Sequence, residues 1–474
     1  KLEVYGDAIF VVLRTAQRMF LALPAAGEVT YLGTTGPDEG AMRTVYGREM
    51  PSHCALYFGA AGGQVVGCRV VRYRHRPGER CVVQYGVTVR DARGQVSEAR
   101  VVGQWRYGRG DTAARARKLA RRADGVPVTW TAPFPPVFFD GPTDRLATPY
   151  PWDRRLPGLT AAAAGSSPSL LGPIRTHLGL DAHAPLAVDV TCVRYREQLN
   201  AVLRYDVRAA GPAADTSRGR FFVKVYGDGG GARLAAVHRA LAQSGTGSRV
   251  GVAPAIASIE TLGALVTAAA PGQPLDRVGL DRPRLASTLH AVATALADFA
   301  GLRVEHDVPL AHASTGGTAR SVAAIAQALP DLAAPLAALA RATAALSGEP
   351  PTGIVHGDLK LEHIFVDDAR VHLIDLDSCH RGPAAWDLAL LTERWWAARD
   401  ATAHERPLAE WGAHVLGLAY WARVRPAGVA IPALRCAASL DVAAGLVKRR
   451  EPDWQARATR LVVRAQRHLT PVGR

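Results

Sequence analysis

Lysine, methionine and cysteine are all scarce in this 474-residue chain. Only five of the 57 basic residues are lysine; the rest are arginine, and Ala and Gly are abundant. That skew matches the coding bias of a GC-rich genome, so the formal charge of +15 is weak ground for a polyanionic partner. The basic residues are also scattered, with no recognisable nucleic-acid-binding motif, and nucleic acid is not expected as the main partner. The six cysteines, Cys54, Cys68, Cys81, Cys192, Cys379 and Cys436, stand apart with no C-x-x-C pair. This argues against a disulfide scaffold or structural zinc and makes a reducing cytoplasm the expected location. No apolar run reaches the roughly 20 residues of a membrane span. Ala8–Ala26 comes nearest, but Arg14 and Arg18 cut it at helical spacing. It reads as an amphipathic helix, not a signal or an anchor, and no membrane partner is expected. Lys1 rather than Met opens the chain, so further N-terminal residues are expected.

What the chain has is core-forming material: 48% hydrophobic and 21% charged residues, enough for two or three globular domains. Its most informative stretch is Ile354-Val355-His356-Gly357-Asp358-Leu359-Lys360-Leu361-Glu362-His363-Ile364-Phe365, followed by Leu373-Ile374-Asp375-Leu376-Asp377. It reads as a buried strand, a polar loop, a second short strand, and a strand ending in two acids. Asp358 lies in the loop, placed to take a proton from an attacking hydroxyl. Asp375 follows at a strand end, where carboxylate oxygen can hold a hard cation on a nucleotide. Next comes a Gly382-Pro383 turn into a helix with an early acid, Asp387.

These residues resemble the catalytic core of the aminoglycoside phosphotransferase/choline kinase-like family, whose loop reads H-G-D-x-x-x-x-N and whose metal strand reads I-D-x-D. His356, Gly357 and Asp358 match; the Asn position holds His363. The resemblance covers roughly Leu186 to Tyr420 and implies an α+β, protein-kinase-like bilobal fold, a small β-rich lobe followed by a helical one. It implies ATP and magnesium as cofactors and a small-molecule acceptor; nothing in the sequence sets an oligomeric state.

An internal repeat extends the picture. Val71-Arg72-Tyr73-Arg74 matches Val193-Arg194-Tyr195-Arg196, Cys81–Tyr85 parallels Ala201–Tyr205, and Arg100–Trp105 parallels Arg220–Val225. Each copy reads as three strands, an Ala/Arg-rich helix (Thr112–Ala123, Ala232–Gln243) and two apolar strands near Pro136–Thr148 and Pro254–Thr267. The expected layout is a degenerate duplicate of the small lobe within 1–150, a linker with a short helix over 151–185, the nucleotide-binding small lobe at 186–275, and a helical lobe at 276–474. Residues 1–60 read as an apolar helix plus turn-rich chain.

Lys224 is the single charge in Phe221-Phe222-Val223-Lys224-Val225-Tyr226, and an ammonium on an apolar strand needs a counter-charge. Snorkelling at a sheet edge is one way out; by the resemblance, the phosphates of a nucleotide are the other. The first copy has uncharged Gln104 here and is not expected to bind a triphosphate. The helix Ala232–Leu241 lacks the acid that orients such a lysine in kinases, and there is no G-x-G-x-x-G loop. The turn Arg196–Ala201 stands in its place, either as a phosphate-contacting turn with Asn200 or as an ordinary hairpin. Leu265–Leu275 resembles the family's hinge, where backbone at Ala268 and Ala270 would read the adenine edge. Asp377 is two residues beyond Asp375, on the same side of a strand, and would support the metal or the substrate. His356 would pack and hold the loop.

His363 leaves three readings: one metal instead of two, manganese in place of magnesium, or lost activity. If it ligates, activity should fall as the imidazole protonates. The main reading is a phosphotransferase acting on a sugar, alcohol or anionic metabolite, since basic residues outnumber acidic ones about two to one from Glu393 to Arg474 and a polycationic aminoglycoside wants carboxylates. The alternative is a pseudokinase, a nucleotide-binding or scaffold protein without turnover.

Overall fold

The computed structural model describes strands at 2–5, 8–11, 21–22 and 29–30, and then residues 64–470. Within that span it leaves out 77–79, 92, 107–110, 124–133, 141–144, 210–217, 246, 280, 312–316, 345, 347–351, 368–369, 400–404, 425–430 and 450–452. Within Ala8–Ala26, expected to be helical, the described residues are strands. Ala8–Val11 instead pairs antiparallel with Leu2–Tyr5, and Leu21–Ala22 pairs with Val29–Thr30. Ile9, Phe10 and Val11 are β-branched or aromatic, which favours strand over helix once a partner strand is present.

The chain divides into two compact units, 1–160 with 448–453, and 161–447 with 454–474. The first contains strands β1 (Gln64–Arg76), β2 (Arg80–Arg90) and β3 (Val96–Arg106), helix α1 (Thr112–Ala123), and strands β4 (Phe138–Asp140) and β5 (Arg145–Pro149). These strands form one antiparallel sheet in the order β1-β2-β3-β5-β4. Val82 to Val87 of β2 are buried on both faces of the sheet, Val83, Tyr85 and Val87 fully so.

Two helices, α2 (Leu159–Ala164) and α3 (Pro168–His177), precede the second sheet. That sheet repeats the first: β6 (Leu186–Arg196), β7 (Asn200–Ala209), β8 (Arg218–Tyr226), α4 (Gly231–Ser244), a short β9 (Val250–Val252), then β10 (Ala255–Ile259) and β11 (Ala264–Ala268). Its order is β6-β7-β8-β11-β10, the topology of the first copy. Ala201, Leu203, Tyr205 and Val207 alternate inward along β7, and Leu234, Val237 and Leu241 of α4 are buried on one helix face. Each such large side chain contributes about 1.5–3 kcal/mol when fully buried.

Register sharpens the repeat. The row Arg194, Val202, Lys224, Leu265 runs across four adjacent strands of the second sheet. The corresponding row of the first sheet is Arg74, Val82, Gln104, Leu146. Gln104 therefore occupies the place of Lys224, as expected. The match of Val71–Arg74 to Val193–Arg196 is two residues out, because the first hairpin extends further: Arg74, not Arg72, is the counterpart of Arg194.

Beyond β12 (Gln273–Pro274) the second unit becomes helical, with α5 (Arg282–Ala300), α6 (Gly317–Ala328) and α7 (Ala333–Thr343). Asp281 caps α5 by accepting the Arg284 N–H, and Pro283 sits in its first turn. Leu285, Leu289, Val292, Leu296 and Phe299 recur at helical spacing and are buried. They share a core with Ile354, Leu373, Leu391 and Trp395. The catalytic-loop strands rest on that core: β13 (Gly353–Val355), β14 (Ile364–Val366), β15 (Val371–Leu373) and β16 (His380–Gly382). Helices α8 (Trp386–Arg399), α9 (Arg406–Trp421), α10 (Ile431–Arg449) and α11 (Trp454–Leu469) complete the unit. No helix of the described residues is long and apolar enough to cross a membrane.

Candidate active site

The loop between β13 and β14 is fixed from both ends. Gly357 has φ +81°, and a Cβ there would lie 2.6 Å from the Ser378 carbonyl oxygen, so only glycine fits. Asp387, in the first turn of α8, accepts the N–H groups of His356 and Gly357. Arg394 lies seven residues later, two turns along the same helix face, and donates to the Leu359 carbonyl and to Asp358 Oδ1, the latter at 2.9 Å. His356 is fully buried and its Nε2–H donates to the Ile374 carbonyl at 2.8 Å, tying the loop to the segment that leads into Asp375.

Asp358 is clamped by two cations, Arg394 at Oδ1 and Lys360 at Oδ2, both at 2.9 Å. Burial alone would raise its pKa, but Arg394 and then Lys360 outweigh it and hold the carboxyl at about 2. Asp375 and Asp377 converge from the other side. Lys224 Nζ stands 2.6 Å from Asp375 Oδ1 and 2.7 Å from Asp377 Oδ1. Lys224 thus finds its counter-charge on Asp375 and Asp377, which compensates for the acid missing from α4. Burial would raise the Asp375 carboxyl, but the Lys224 ammonium holds it well below the usual carboxylate range.

The expected geometry of Asp375 and Asp377 as neighbours on one strand is not what forms. β15 ends at Leu373; Asp375 is left-handed with φ 62°, and Leu376–Ser378 is a 3-10 turn. Asp tolerates that conformation because its short polar side chain costs little there, and the turn still aims both carboxylates at one cation. The Lys224 ammonium sits between the two carboxylates. Among the described residues no three His, Cys, Asp or Glu side chains are grouped as a metal site. A metal here would need oxygen from a bound ligand as well.

His363 is buried, with Nδ1 3.1 Å from the Asp358 carbonyl and Nε2 3.6 Å from Asp375 Oδ2. A carbonyl can only accept, so Nδ1 carries the proton and Nε2 keeps its lone pair toward Asp375. That suits a nitrogen ligand. Burial drives its pKa down to about 3 against the pull of Asp375, so the ring is neutral across the working range. The acidic limb expected from its protonation is therefore withdrawn: none should appear above about pH 4. His363→Asn is still expected to shift metal preference from manganese toward magnesium, measured as metal-dependent nucleotide affinity; unchanged preference would make His363 a packing residue.

One cleft gathers Asn200, Lys224, Asp358, Asp375 and Asp377 with Arg194, Arg196, Val202 and Ser378. Ala268 and Ala270 do not line it. The Ala268 N–H donates to the Pro254 carbonyl at 3.0 Å and the Ala269 N–H to Arg220 at 2.9 Å. Pairing thus continues one residue past the end of β11, and the Ala268 amide is not available to a base edge.

Residues 213–427 match the model of the APH phosphotransferase enzyme family. This segment belongs to that family. The second unit as a whole, with its five-stranded sheet followed by a helical half carrying the loop, has the bilobal, protein-kinase-like α+β fold implied by the motif. Distant likenesses among solved structures include aminoglycoside phosphotransferase APH(4)-Ia, 15% identical over 64% of this chain and 99% of that one, TM-score 0.41. Another is an ethanolamine kinase of Plasmodium vivax, 8% identical over 59% and 82%, TM-score 0.40. A choline/ethanolamine kinase family protein of Mesorhizobium loti is 15% identical over 60% and 89%, TM-score 0.37. No curated protein matched the sequence.

Four side chains in or around the phosphotransferase cleft were not singled out from sequence. Arg394 had a signal, its seven-residue spacing from Asp387. Lys360 had its place two residues after Asp358. Tyr226 donates to Asp377 Oδ1 at 3.2 Å, and Arg233 of α4 reaches the carbonyls of Pro309 and Asp377. Neither of those contacts leaves a local trace, because the partners lie 151 and 76 or more residues away.

Proposed function

We propose that the protein is an ATP-dependent phosphotransferase that moves the γ-phosphoryl group to a hydroxyl of a small molecule. The observation that carries this is the meeting of Asp358 with the Lys224–Asp375–Asp377 cluster in one cleft. The small lobe at 186–275 would hold the nucleotide, the helical lobe at 276–474 the acceptor, and the duplicate within 1–150, beyond the linker 151–185, would shape or regulate. Asp375, Asp377 and His363 would hold magnesium, with manganese as the alternative, and the ion would neutralise charge on the phosphates.

Asp358 orients the acceptor hydroxyl. The hydroxyl oxygen bonds to the γ-phosphorus, the bond to the bridging oxygen breaks, and the hydroxyl proton passes to the Asp358 carboxylate. At a pKa of about 2, Asp358 is a weak base, so the proton moves late, once the oxygen has become acidic by bonding to phosphorus. Lys360 and Arg394 flank it, and Glu393 and Glu410 are paired with Arg464 away from the loop. A sugar, an alcohol or an anionic metabolite fits these surroundings better than a polycationic aminoglycoside.

The test is to incubate the protein with ATP and metabolite pools and look for a new phosphorylated mass that Asp358→Asn does not produce. Nucleotide binding without any such product would favour the pseudokinase, the reading that His363 and the acid-free α4 support. Lys224→Ala should weaken ATP binding at least tenfold, whereas Gln104→Ala leaves it unchanged. In the first copy Gln104 accepts a hydrogen bond from Arg115 at 3.0 Å and offers no charge to phosphate. Equal losses in calorimetric titrations would refute the division of labour between the two lobes.

A further inference from the structure

Two arginines on the floor of the cleft, Arg194 and Arg196, have no role in the motif reading above. Both lie near the end of β6, and register sets them two rows apart, with Tyr195 and Ala201 between. Arg194 faces Val202, which faces Lys224; Arg196 faces Asn200, which faces Tyr226. A bulge at Val193, between Cys192 and Arg194, sets the register in which Arg194 opposes Val202. Arg194 and Lys224 are two strands apart, about 10 Å between backbones, yet both reach Asp375. Lys224 Nζ is at 2.6 Å from Oδ1, and Arg194 NH1 at 3.7 Å from Oδ2.

In the hairpin turn that follows, the Leu199 N–H is already engaged by the Arg196 carbonyl at 3.0 Å, and the Leu199 carbonyl accepts from Gly227 at 2.9 Å. The arginine side chains of β6 are then groups placed to meet phosphate. Three cations line the cleft, Arg194, Arg196 and Lys224; Lys224 pairs with Asp375 and Asp377 and Arg194 with Asp375, while Asp358 is already held by Lys360 and Arg394. If Asp375 and Asp377 are engaged by a divalent cation, Lys224 and Arg194 lose their counter-charge, and the anions that would complete them are phosphate oxygens. Guanidinium forks suit that task, since they bind phosphate in a bidentate manner and stay charged at any working pH.

We infer that Arg194 and Arg196 grip the phosphate chain of the nucleotide from the first strand of the lobe, replacing a glycine-rich loop, and make the site select by phosphate count. This rests on the nucleotide reading of the cleft. The experiment titrates ATP, ADP and AMP, each with magnesium, into wild type, Arg194→Gln, Arg196→Gln, the double variant and Arg194→Lys, with folding checked by thermal unfolding. Wild type should bind ATP at least tenfold more tightly than ADP. The double variant should lose ATP affinity at least tenfold, ADP affinity less, and AMP affinity not at all, while Arg194→Lys, which keeps the charge but not the fork, should fall between wild type and Arg194→Gln. Unchanged ATP affinity in a folded double variant, or equal losses for all three nucleotides, overturns the inference and leaves the nucleotide site standing. Wild type that binds none of the three overturns both.

Discussion

Asp358→Asn should reduce phosphoryl transfer by roughly a hundred- to ten-thousand-fold, the range that a positioned acid–base group supplies, while nucleotide affinity stays within about twofold of wild type. The amide keeps the shape of the carboxylate and one acceptor oxygen, so the loop stays tied to Arg394 through at least one of its present bonds. What is lost is the group that receives the proton and the negative charge facing the acceptor. Because Asp358 engages the acceptor and not the nucleotide, the loss should fall in kcat and kcat/KM and not in the dissociation constant of ATP. Asp375→Ala is the opposite case and should remove metal-dependent nucleotide binding. Wild-type turnover in Asp358→Asn with an acceptor in hand would falsify the assigned mechanism.

The parts of this site that were legible in the sequence are those built from contiguous chain. His356, Gly357, Asp358 and Asp375 lie within twenty residues, and the strand–loop–strand around them is dictated by apolar runs broken by a glycine that nothing else can replace. The duplicated sheet was legible for a related reason. Apolar residues at alternate positions report a strand, and the two copies keep that spacing even where identities are few. What was not legible depends on register. A two-residue difference in hairpin length moves Arg74, not Arg72, into the row of Gln104, and no local preference encodes that shift. Likewise the partner of Lys224 was sought on α4, where kinases place it. The chain uses carboxylates 151 and 153 residues away, brought in by the fold of the helical half. The stretch Ala8–Ala26 shows the limit of periodicity, since the spacing of Arg14 and Arg18 fits a helix while Ile9-Phe10-Val11 fits a strand, and Ala8–Val11 is one.

Glu393→Gln should destabilise the helical half by about 3 kcal/mol at neutral pH, without touching the cleft. Glu393 is completely buried on α8, and three helices converge on it. Ser439 of α10 donates to Oε2 at 2.7 Å, Arg464 of α11 to Oε2 at 2.7 Å, and His468 of α11 lies 3.0 Å from Oε1. Burial alone would raise the carboxyl, but His468 and Arg464 outweigh it and lower the pKa from 4.5 to about 2. A depressed folded-state pKa means stability that is fully present above pH 4.5 and lost as pH falls through 2; a shift of this size corresponds to about 3 kcal/mol. The gap between wild type and Glu393→Gln, read as the urea midpoint, should therefore be widest above pH 5 and close steadily as pH falls below 4.5. Part of the cost falls on the Arg464 guanidinium, 9% exposed and stacked 4.6 Å over Trp396, which loses its charged partner Glu393 and keeps only Glu410 at 2.7 Å. Adding Arg464→Met, which fills the space over Trp396 without the charge, should recover part of the loss, because a buried pair replaced by apolar groups is often neutral while a broken one is not. A single variant as stable as wild type at pH 7, or a gap that does not narrow in acid, would show that the three helices are held by their apolar core alone.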